Sequence, residues 1–300
     1  MKTLLLLPLL FFFACAGAGP RGNPALELWR RYEPRAAAGY ALNPYLNNIL
    51  GIYLLGEKSG SAEIGRYIQW YCDRLNYPDK HGVTGSIYDY YIAGDGSETA
   101  GTTYDSVDSY AATFLLMAAR YYAVTGDAAL IRKNWAKIKD VAFTIAYLQD
   151  KDGLVRALPA SDQKYLMDNC ECYGGLLAYQ DLSEKLGYGR DPYYETVAAS
   201  IKRGITEVLY NAERGFFHWG ISGGVKSPYS PGVLYPDALS QIFPALYGVN
   251  RDAGPLNKFL GTYKDKLGAF PLEQRLIVEM AKKKESGCAA GTDASCAPNY

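Results

Sequence analysis

The stretch that decides the fold is "TTYDSVDSYAATFLLMAARYYAVTGD", residues 102–127. Two aspartates three residues apart, Asp105 and Asp108, precede a segment that is mostly apolar as far as Val124. A helix that is apolar on nearly every side is buried by neighbours all round. The stretch therefore predicts an inner helix of a helical protein, with two carboxylates at its start.

This motif is repeated further along the chain. In "MDNCECYGGLLAYQDLSEKLGYGRD", residues 167–191, Asp168 aligns with Asp105 and Glu171 aligns with Asp108, almost without a gap. Repeats of a helix pair that cannot bury its own apolar face must stack against one another. The repeat therefore predicts that the two carboxylate motifs lie on neighbouring inner helices.

Helical periodicity runs through almost the whole chain. Amphipathic helices with a charged face, such as "AALIRKNWAKIKDVAFTIAYLQD" at residues 128–150, are expected to be half-exposed. The alternation of buried and half-exposed helices predicts an all-α protein, an (α/α) toroid in which an outer ring wraps an inner ring. Short strands are expected in the connections, at residues 85–92, 153–158 and 215–221. The ten candidate helices are 25–37, 44–55, 61–76, 104–124, 128–149, 165–186, 192–210, 235–248, 253–266 and 270–284.

The chain resembles the six-hairpin glycosidase superfamily over residues 25–284. The resemblance is carried by "YDSVDSYAATFL", "LMDNCECYGGLLAY", the loop "HGVTGSIYDYYI", and "LYPDALSQIFPALYG", a fainter third copy of the repeat led by Asp237. It implies a toroid of up to twelve helices, two more than the ten candidates. It also implies that carboxylates at the inner-helix starts, and in the loops beside them, face a sugar.

The resemblance predicts a glycoside hydrolase that acts on a poly- or oligosaccharide. Cleavage of a glycosidic bond needs two carboxyl groups, one to protonate the leaving oxygen and one to act on the other face of the sugar. Asp105 and Asp168 are the candidate acid and base, with Asp108 the closest rival and the assignment of roles left open. The same positions also suit helix capping, since acidic residues in a first turn match the helix dipole. The candidate sugar contacts are Tyr88, Asp89, Tyr104, Tyr110, Glu171, Tyr173, His218, Trp219, Tyr235 and Asp237.

The same residues are also compatible with two other functions. If the acids only cap helices, the protein is a carbohydrate-binding protein without catalysis. A polysaccharide lyase instead removes a proton beside a uronic carboxylate, and Tyr88, His81 and Arg156 would then be central.

Composition narrows the partners. The 27 tyrosines suit packing on sugar rings, and a formal net charge of zero argues against a nucleic-acid partner. With two histidines and no Cys-x-x-Cys, no metal site is expected. The sequence has neither a phosphate-binding glycine loop nor a Gly-x-Ser-x-Gly elbow, and no cofactor is expected.

The first residues are typical of an export signal. Lys2 is followed by the apolar run "LLLLPLLFFFA", which is too short to span a membrane and predicts a signal peptide over residues 1–18. Cleavage before Cys15 would give a lipoprotein attached to the membrane, whereas cleavage after "AGA" would release the protein, as a secreted or periplasmic form. The toroid domain is then 19–284. A polar tail, 285–300, contains Cys288 and Cys296, which are expected to pair in an oxidising compartment.

Overall fold

The computed structural model describes residues 22–32 and 40–289. Its α-helices are α1 (Pro24–Tyr32), α2 (Pro44–Gly56), α3 (Ser61–Cys72), α4 (Val107–Thr125), α5 (Ala128–Lys133), α6 (Trp135–Leu148), α7 (Leu166–Lys185), α8 (Pro192–Arg203), α9 (Phe243–Leu246), α10 (Gly254–Tyr263) and α11 (Leu272–Ala289). Wider or tighter turns extend this set at Gly204–Leu209, Leu234–Ala238 and Lys264–Ala269. Each of the ten candidate segments contains a helix, so the all-α prediction is confirmed.

Five helices form an inner ring. Along the ring α2 packs against α4, α4 against α7, α7 against α9, and α9 against α11, which returns to α2. The apolar stretch 107–124 lies in α4, and every residue from Val107 to Ala119 is buried. The ring therefore closes with five inner helices in the described part of the chain, so the ten candidates suffice without two further ones.

Five helices alternate with the inner ones along the chain, namely α1, α3, α6, α8 and α10. α3 packs against α2 and α4, α6 against α4 and α7, and α8 against α7. Each buries one face, as the amphipathic pattern predicts; in α8 this face is Tyr194, Val197, Ala198 and Ile201. Tertiary packing of this apolar stripe, rather than helix propensity, stabilises such helices.

A very close approach in the ring joins α4 and α7. At Gly175 of α7 a Cβ would lie 2.7 Å from the carbonyl oxygen of Ala112 in α4 and 2.9 Å from its Cα. The glycine lets the two backbones meet without a side chain between them. This contact holds together the two helices that carry the acidic motifs.

Short strands lie in the connections, as expected, but are shorter than the sequence pattern suggests. The strands are β1 (Tyr40–Leu42), β2 (Tyr90–Ile92), β3 (Glu98–Ala100), β4 (Lys164–Tyr165), β5 (Tyr210–Asn211), β6 (Phe216–Phe217), β7 (Gly220–Ser222) and β8 (Val225–Lys226). Three of them form an antiparallel sheet in the order β1–β2–β3, β4 pairs with β7 and β7 with β8, and β5 pairs with β6. The segment 153–158 contributes only an isolated bridge between Gln149 and Val155.

The chain ends bear on several expectations. The signal segment with Cys15, and Cys296, lie outside the described residues. The last helix continues to Ala289, so residues 285–289 of the expected polar tail are helical. Cys72, Cys170 and Cys172 are buried free thiols. No helix in the described ranges is both long and apolar enough to cross a membrane.

Candidate active site

The starts of all five inner helices meet at one end of the ring, around a cavity of about 430 Å³. This axial cavity has the size of a typical small-molecule site, which spans roughly 300–1,000 Å³. The residues that line it are Asn43, Tyr45, Leu46, Asp105, Ser106, Ser109, Tyr110, Met167, Asp168, Tyr235, Leu239, Phe243, Glu273, Gln274 and Ile277. The architecture thus brings the predicted acids of α4 and α7 to a common space, together with the start of α11.

A cluster of three buried carboxyl groups lies at this end of the ring, and one of them, Asp168, lines the cavity. Asp108 of α4 is 0% exposed, and Asp168 and Glu171 of α7 are 9% and 1% exposed. The hydroxyl of Ser106 lies 2.7 Å from Asp108 Oδ1 and 2.7 Å from Asp168 Oδ2, which joins the two helices. These three acidic residues are hereafter the carboxyl cluster.

The contacts of Ser106 require a proton on the cluster. A serine hydroxyl carries one proton and can donate to only one acceptor at a time. Two short contacts to carboxyl oxygens are therefore satisfied only when one of the two carboxyl groups, on Asp108 or Asp168, is protonated and donates to Ser106 Oγ. The geometry therefore favours a proton shared among these groups, next to the cavity that Ser106 and Asp168 line.

Burial explains why that proton is retained. Burial disfavours the charged form of a carboxyl group, and a neighbouring negative charge adds to the effect. Burial raises the pKa of Asp168 to about 6, with a contribution from the charge of Asp105. Burial and then the charge of Asp168 raise the pKa of Glu171 to about 8, and the same two causes raise the pKa of Asp108 well above its usual range.

Glu171 is held by three hydroxyl donors. Tyr45 and Tyr247 donate to its Oε1 at 2.7 and 3.3 Å, and Ser109 donates to its Oε2 at 2.9 Å. The donors come from α2, from α4 and from the end of α9, so this one side chain ties three other parts of the ring to α7.

Asp105 differs from the cluster in its environment. It precedes α4 by two residues, lines the axial cavity and is solvent-exposed. Its backbone N–H donates to the hydroxyl of Tyr110 at 3.1 Å. Its exposure contrasts with the burial of Asp168, which lines the same cavity.

The capping interpretation is supported in part, because Asp108 and Asp168 lie in the first turns of α4 and α7 and Asp108 Oδ1 accepts the backbone N–H of Ser109 at 2.8 Å. The residues that cap α4 and α7 are Ser106 and Tyr165, and neither makes a side-chain capping hydrogen bond. Asp168 already lies inside α7, because that helix begins earlier relative to the motif than α4 does. Asp108 and Asp168 also share the hydroxyl of Ser106, and Asp105 and Asp168 line the cavity, so the acids do more than occupy the helix starts.

The loop before α4 supplies one more acid. Tyr110 donates to Asp89 Oδ1 at 2.8 Å, and burial raises the pKa of Asp89. Next to this pair, the rings of Tyr88 and Tyr104 stack with centroids 5.6 Å apart. Tyr104 donates to Asp79 at 2.9 Å, so its hydroxyl serves the loop and not the cavity.

Other predicted sugar contacts lie elsewhere. Tyr173 lines a separate cavity with Lys202, near the far end of α11, because its position on α7 is more than one turn below the rim. Asp237 is buried and accepts the backbone N–H of Ser230 at 2.5 Å, which fixes a loop. His218 Nδ1 lies 2.7 Å from the carbonyl oxygen of Ser227.

Trp219 lies near the rim rather than within the cavity lining. Its ring stacks on Tyr165 with centroids 6.2 Å apart and an angle of 16° between the planes. Its carbonyl oxygen also accepts the N–H of Leu166, the first residue of α7, at 2.9 Å.

Several residues at the site were not among the sequence candidates. Tyr45, Ser106, Ser109 and Tyr247 hold the carboxyl cluster, and Glu273 and Gln274 line the cavity from α11. Tyr45, Glu273 and Gln274 lie at the starts of two helices that the sequence predicts, so their positions at helix starts could have indicated that they belong to the site.

The lining residues include acids but no Lys, Arg or His within the described part of the chain. Arg156 donates instead to the carbonyl of Pro159 at 3.2 Å. His81 is exposed, and its backbone N–H donates to Asp79 Oδ1 at 2.8 Å. Over the same residues, no cluster of three His, Cys, Asp or Glu side chains is arranged to hold a metal ion.

Comparison with solved structures identifies similar folds. A rhamnosidase from Klebsiella oxytoca with rhamnose bound matches with a TM-score of 0.53 and 12% identity, over 86% of this chain and 49% of that chain. A family 78 rhamnosidase from Bacillus sp. GL1 matches at 0.47 and 16%, over 63% and 21%. Cellobiose 2-epimerase from Bacillus thermoamylovorans B4167 matches at 0.48 and 12%, over 83% and 60%.

The likeness to the Klebsiella protein shows the fold, so the (α/α) toroid expected from the six-hairpin resemblance is confirmed. This chain spans about half the length of that protein and less than two thirds of each of the other two. Neither a protein-family model nor a curated protein matches the sequence.

Proposed function

We propose that the protein is a glycoside hydrolase that cleaves a poly- or oligosaccharide in the axial cavity. The observation that carries this proposal is the carboxyl cluster, which holds a proton at the wall of a cavity that a second, exposed carboxylate also lines. Glycoside hydrolysis needs one protonated and one ionised carboxyl group on either side of a sugar. The fold shared with a rhamnosidase supports the same conclusion.

Asp168 is the general acid in this proposal. It is the member of the carboxyl cluster that reaches the cavity, and its pKa of about 6 lets it hold a proton in mildly acidic solution. Asp108 and Glu171 lie behind it and keep the site protonated. In such sites the acid and the base can be told apart because their surroundings favour opposite protonation states of the two carboxyl groups.

Asp105 is the base. Its side chain is exposed and lines the cavity near Asp168, which gives water and a sugar access to its carboxyl group. It would activate water or attack the sugar directly.

The lyase alternative has less support. A lyase must neutralise the uronic carboxylate of its substrate, usually with a cation. In the described residues Arg156 and His81 are absent from the cavity lining, and the side chains that are present are acidic or uncharged.

The test is the release of reducing ends by the purified protein from a broad panel of polysaccharides. Asp168→Asn and Asp105→Asn are each expected to lower the rate by at least about a hundredfold, since loss of acid–base catalysis costs roughly 10²–10⁴-fold. Asp265→Asn, at an exposed position in the Lys264–Ala269 turn, is the matched control and is expected to keep full activity.

Melting temperatures of all variants separate catalysis from folding. Inactive variants that melt like the wild type support the proposal. Sugar binding without release by the wild type would favour the non-catalytic binding protein, and products that absorb in the ultraviolet would favour the lyase.

The proposal includes a location. The signal-like residues 1–18 support action outside the cytoplasm, either released or anchored through Cys15. Cell fractionation of the wild type and of Cys15→Ser checks this: a membrane-bound wild type and a released variant would indicate the anchor, and retention in the cytoplasm would contradict export.

A further inference from the structure

Gln274 is the third residue of α11 and lines the axial cavity, yet its amide oxygen has no partner. The side chain is 8% exposed, and its Oε1 is shielded from solvent without a hydrogen bond in the described residues. Buried amide groups in folded proteins are almost always paired, because an unpaired one costs free energy. An unpaired buried acceptor at a cavity wall therefore calls for an explanation by function.

The position of Gln274 in the ring gives that explanation. α11 packs between α9 and α2, across the cavity from the α4–α7 pair that carries Asp105 and Asp168. A sugar ring placed against those acids has its far side towards α11. Rotation of the terminal amide about its last bond would bring the shielded Oε1 to the cavity side, where it can accept from a sugar hydroxyl, while Nε2 is able to donate to one.

We propose that Gln274 is a substrate-binding residue whose amide hydrogen-bonds a hydroxyl group of the sugar and so holds the ring against Asp105 and Asp168. This inference rests on the proposed function for the identity of its ligand as a sugar. It adds a residue that neither the carboxyl cluster nor the capping and repeat patterns account for.

The amide contrasts with a second buried glutamine, which serves as the control. Gln241 is also 8% exposed, but its Oε1 accepts the N–H of Phe217 and its Nε2 donates to the carbonyl of Phe217, both at 2.8 Å. The two side chains thus have equal burial, and their amide oxygens have opposite hydrogen-bond states. Replacement by Met, which is close in size but cannot pair, should affect them in opposite ways.

The experiment measures melting temperature and kcat/KM for Gln274→Met and Gln241→Met. We expect Gln274→Met to raise the melting temperature of the free protein by about 2–4 °C, because an unpaired buried group is removed. On the polysaccharide that the wild type cleaves best, the same variant should lose about tenfold to a hundredfold in kcat/KM. Gln241→Met should lower the melting temperature instead.

A stabilised but impaired Gln274→Met cannot be explained by a structural role, which would lower both quantities. Unchanged kcat/KM in that variant would overturn the inference while leaving the hydrolase proposal intact. If the wild type cleaves nothing, the hydrolase proposal fails, and the readout becomes the rise in melting temperature caused by added oligosaccharides. A rise in the wild type that is lost in Gln274→Met would then support the inference, and no rise with any sugar would overturn it.

Discussion

Glu171 shows how a single buried residue couples the site to pH. Burial raises its pKa from an ordinary 4.5 to about 8, so between these values the folded protein keeps a proton that the unfolded chain releases. The free energy of unfolding falls with rising pH wherever the folded state binds more protons. We therefore expect the melting temperature to fall as the pH rises from about 4.5 to about 8.

Glu171→Gln should flatten this dependence, because the amide cannot ionise while its oxygen still accepts from Tyr45. Glu213→Gln, at an exposed position, is the control and should melt like the wild type at both ends of the range. Calorimetry at pH 5 and pH 8 measures the slope. A slope that is equal in wild type and Glu171→Gln would mean that another group is responsible.

At the scale of the elements, the contact of α4 with α7 aligns the acids. Gly175→Ala would place a Cβ 2.7 Å from the backbone oxygen of Ala112, and the helices must separate to accept it. We expect a loss of about 1–3 kcal/mol in the free energy of unfolding, as for other overpacked cores, and a fall in activity since Ser106 bridges the same helices.

Gly261→Ala is the matched control, because a Cβ at this position in α10 meets nothing within 4 Å. Helix propensity alone should make that variant neutral or stabilise it by up to about 1 kcal/mol. Urea denaturation of both variants gives the comparison. Equal stabilities for the two would show that α4 and α7 adapt to the extra carbon.

The same elements show what could be predicted from the sequence. Periodicity located the helices, although the single candidate 128–149 covers both α5 and α6, and the repeat predicted that Asp105 and Asp168 share one rim, because equivalent positions of stacked repeats lie at the same level. Tyr173 shows the limit: the alignment of Asp168 with Asp105 also pairs Tyr173 with Tyr110, yet Tyr173 lies away from the rim, because α7 begins earlier relative to the motif than α4 does. Gln274 and Tyr45 become part of the site only when distant helix starts meet, and no local pattern contains that information.

At the scale of the whole molecule, the distribution of charge predicts which sugars enter. The chain is neutral overall, with 31 basic and 31 acidic residues, yet the axial cavity is lined by Asp105, Asp168 and Glu273 and by no cation among the described residues. Such one-signed clefts concentrate their field and repel ligands of the same charge. Substrates without carboxylate groups should therefore be preferred over polyuronates.

The measurement is the rate of reducing-end release from neutral polysaccharides and from polyuronates at matched chain concentration. We expect hydrolysis of the neutral group and at least about tenfold slower release from the uronates, because like-charge contacts are disfavoured in a cleft. Glu273→Gln removes one charge from the cavity lining and should reduce the ratio of the rate on neutral polymers to the rate on polyuronates. Added salt should reduce this ratio too, because it screens exposed charges over about 10 Å at 0.1 M. Glu279→Gln, on the same helix but outside the cavity lining, should leave the ratio unchanged. Faster release from a uronate than from every neutral polymer would contradict the assignment, since the carboxylates of that substrate would then need a cation that the cavity lining does not supply.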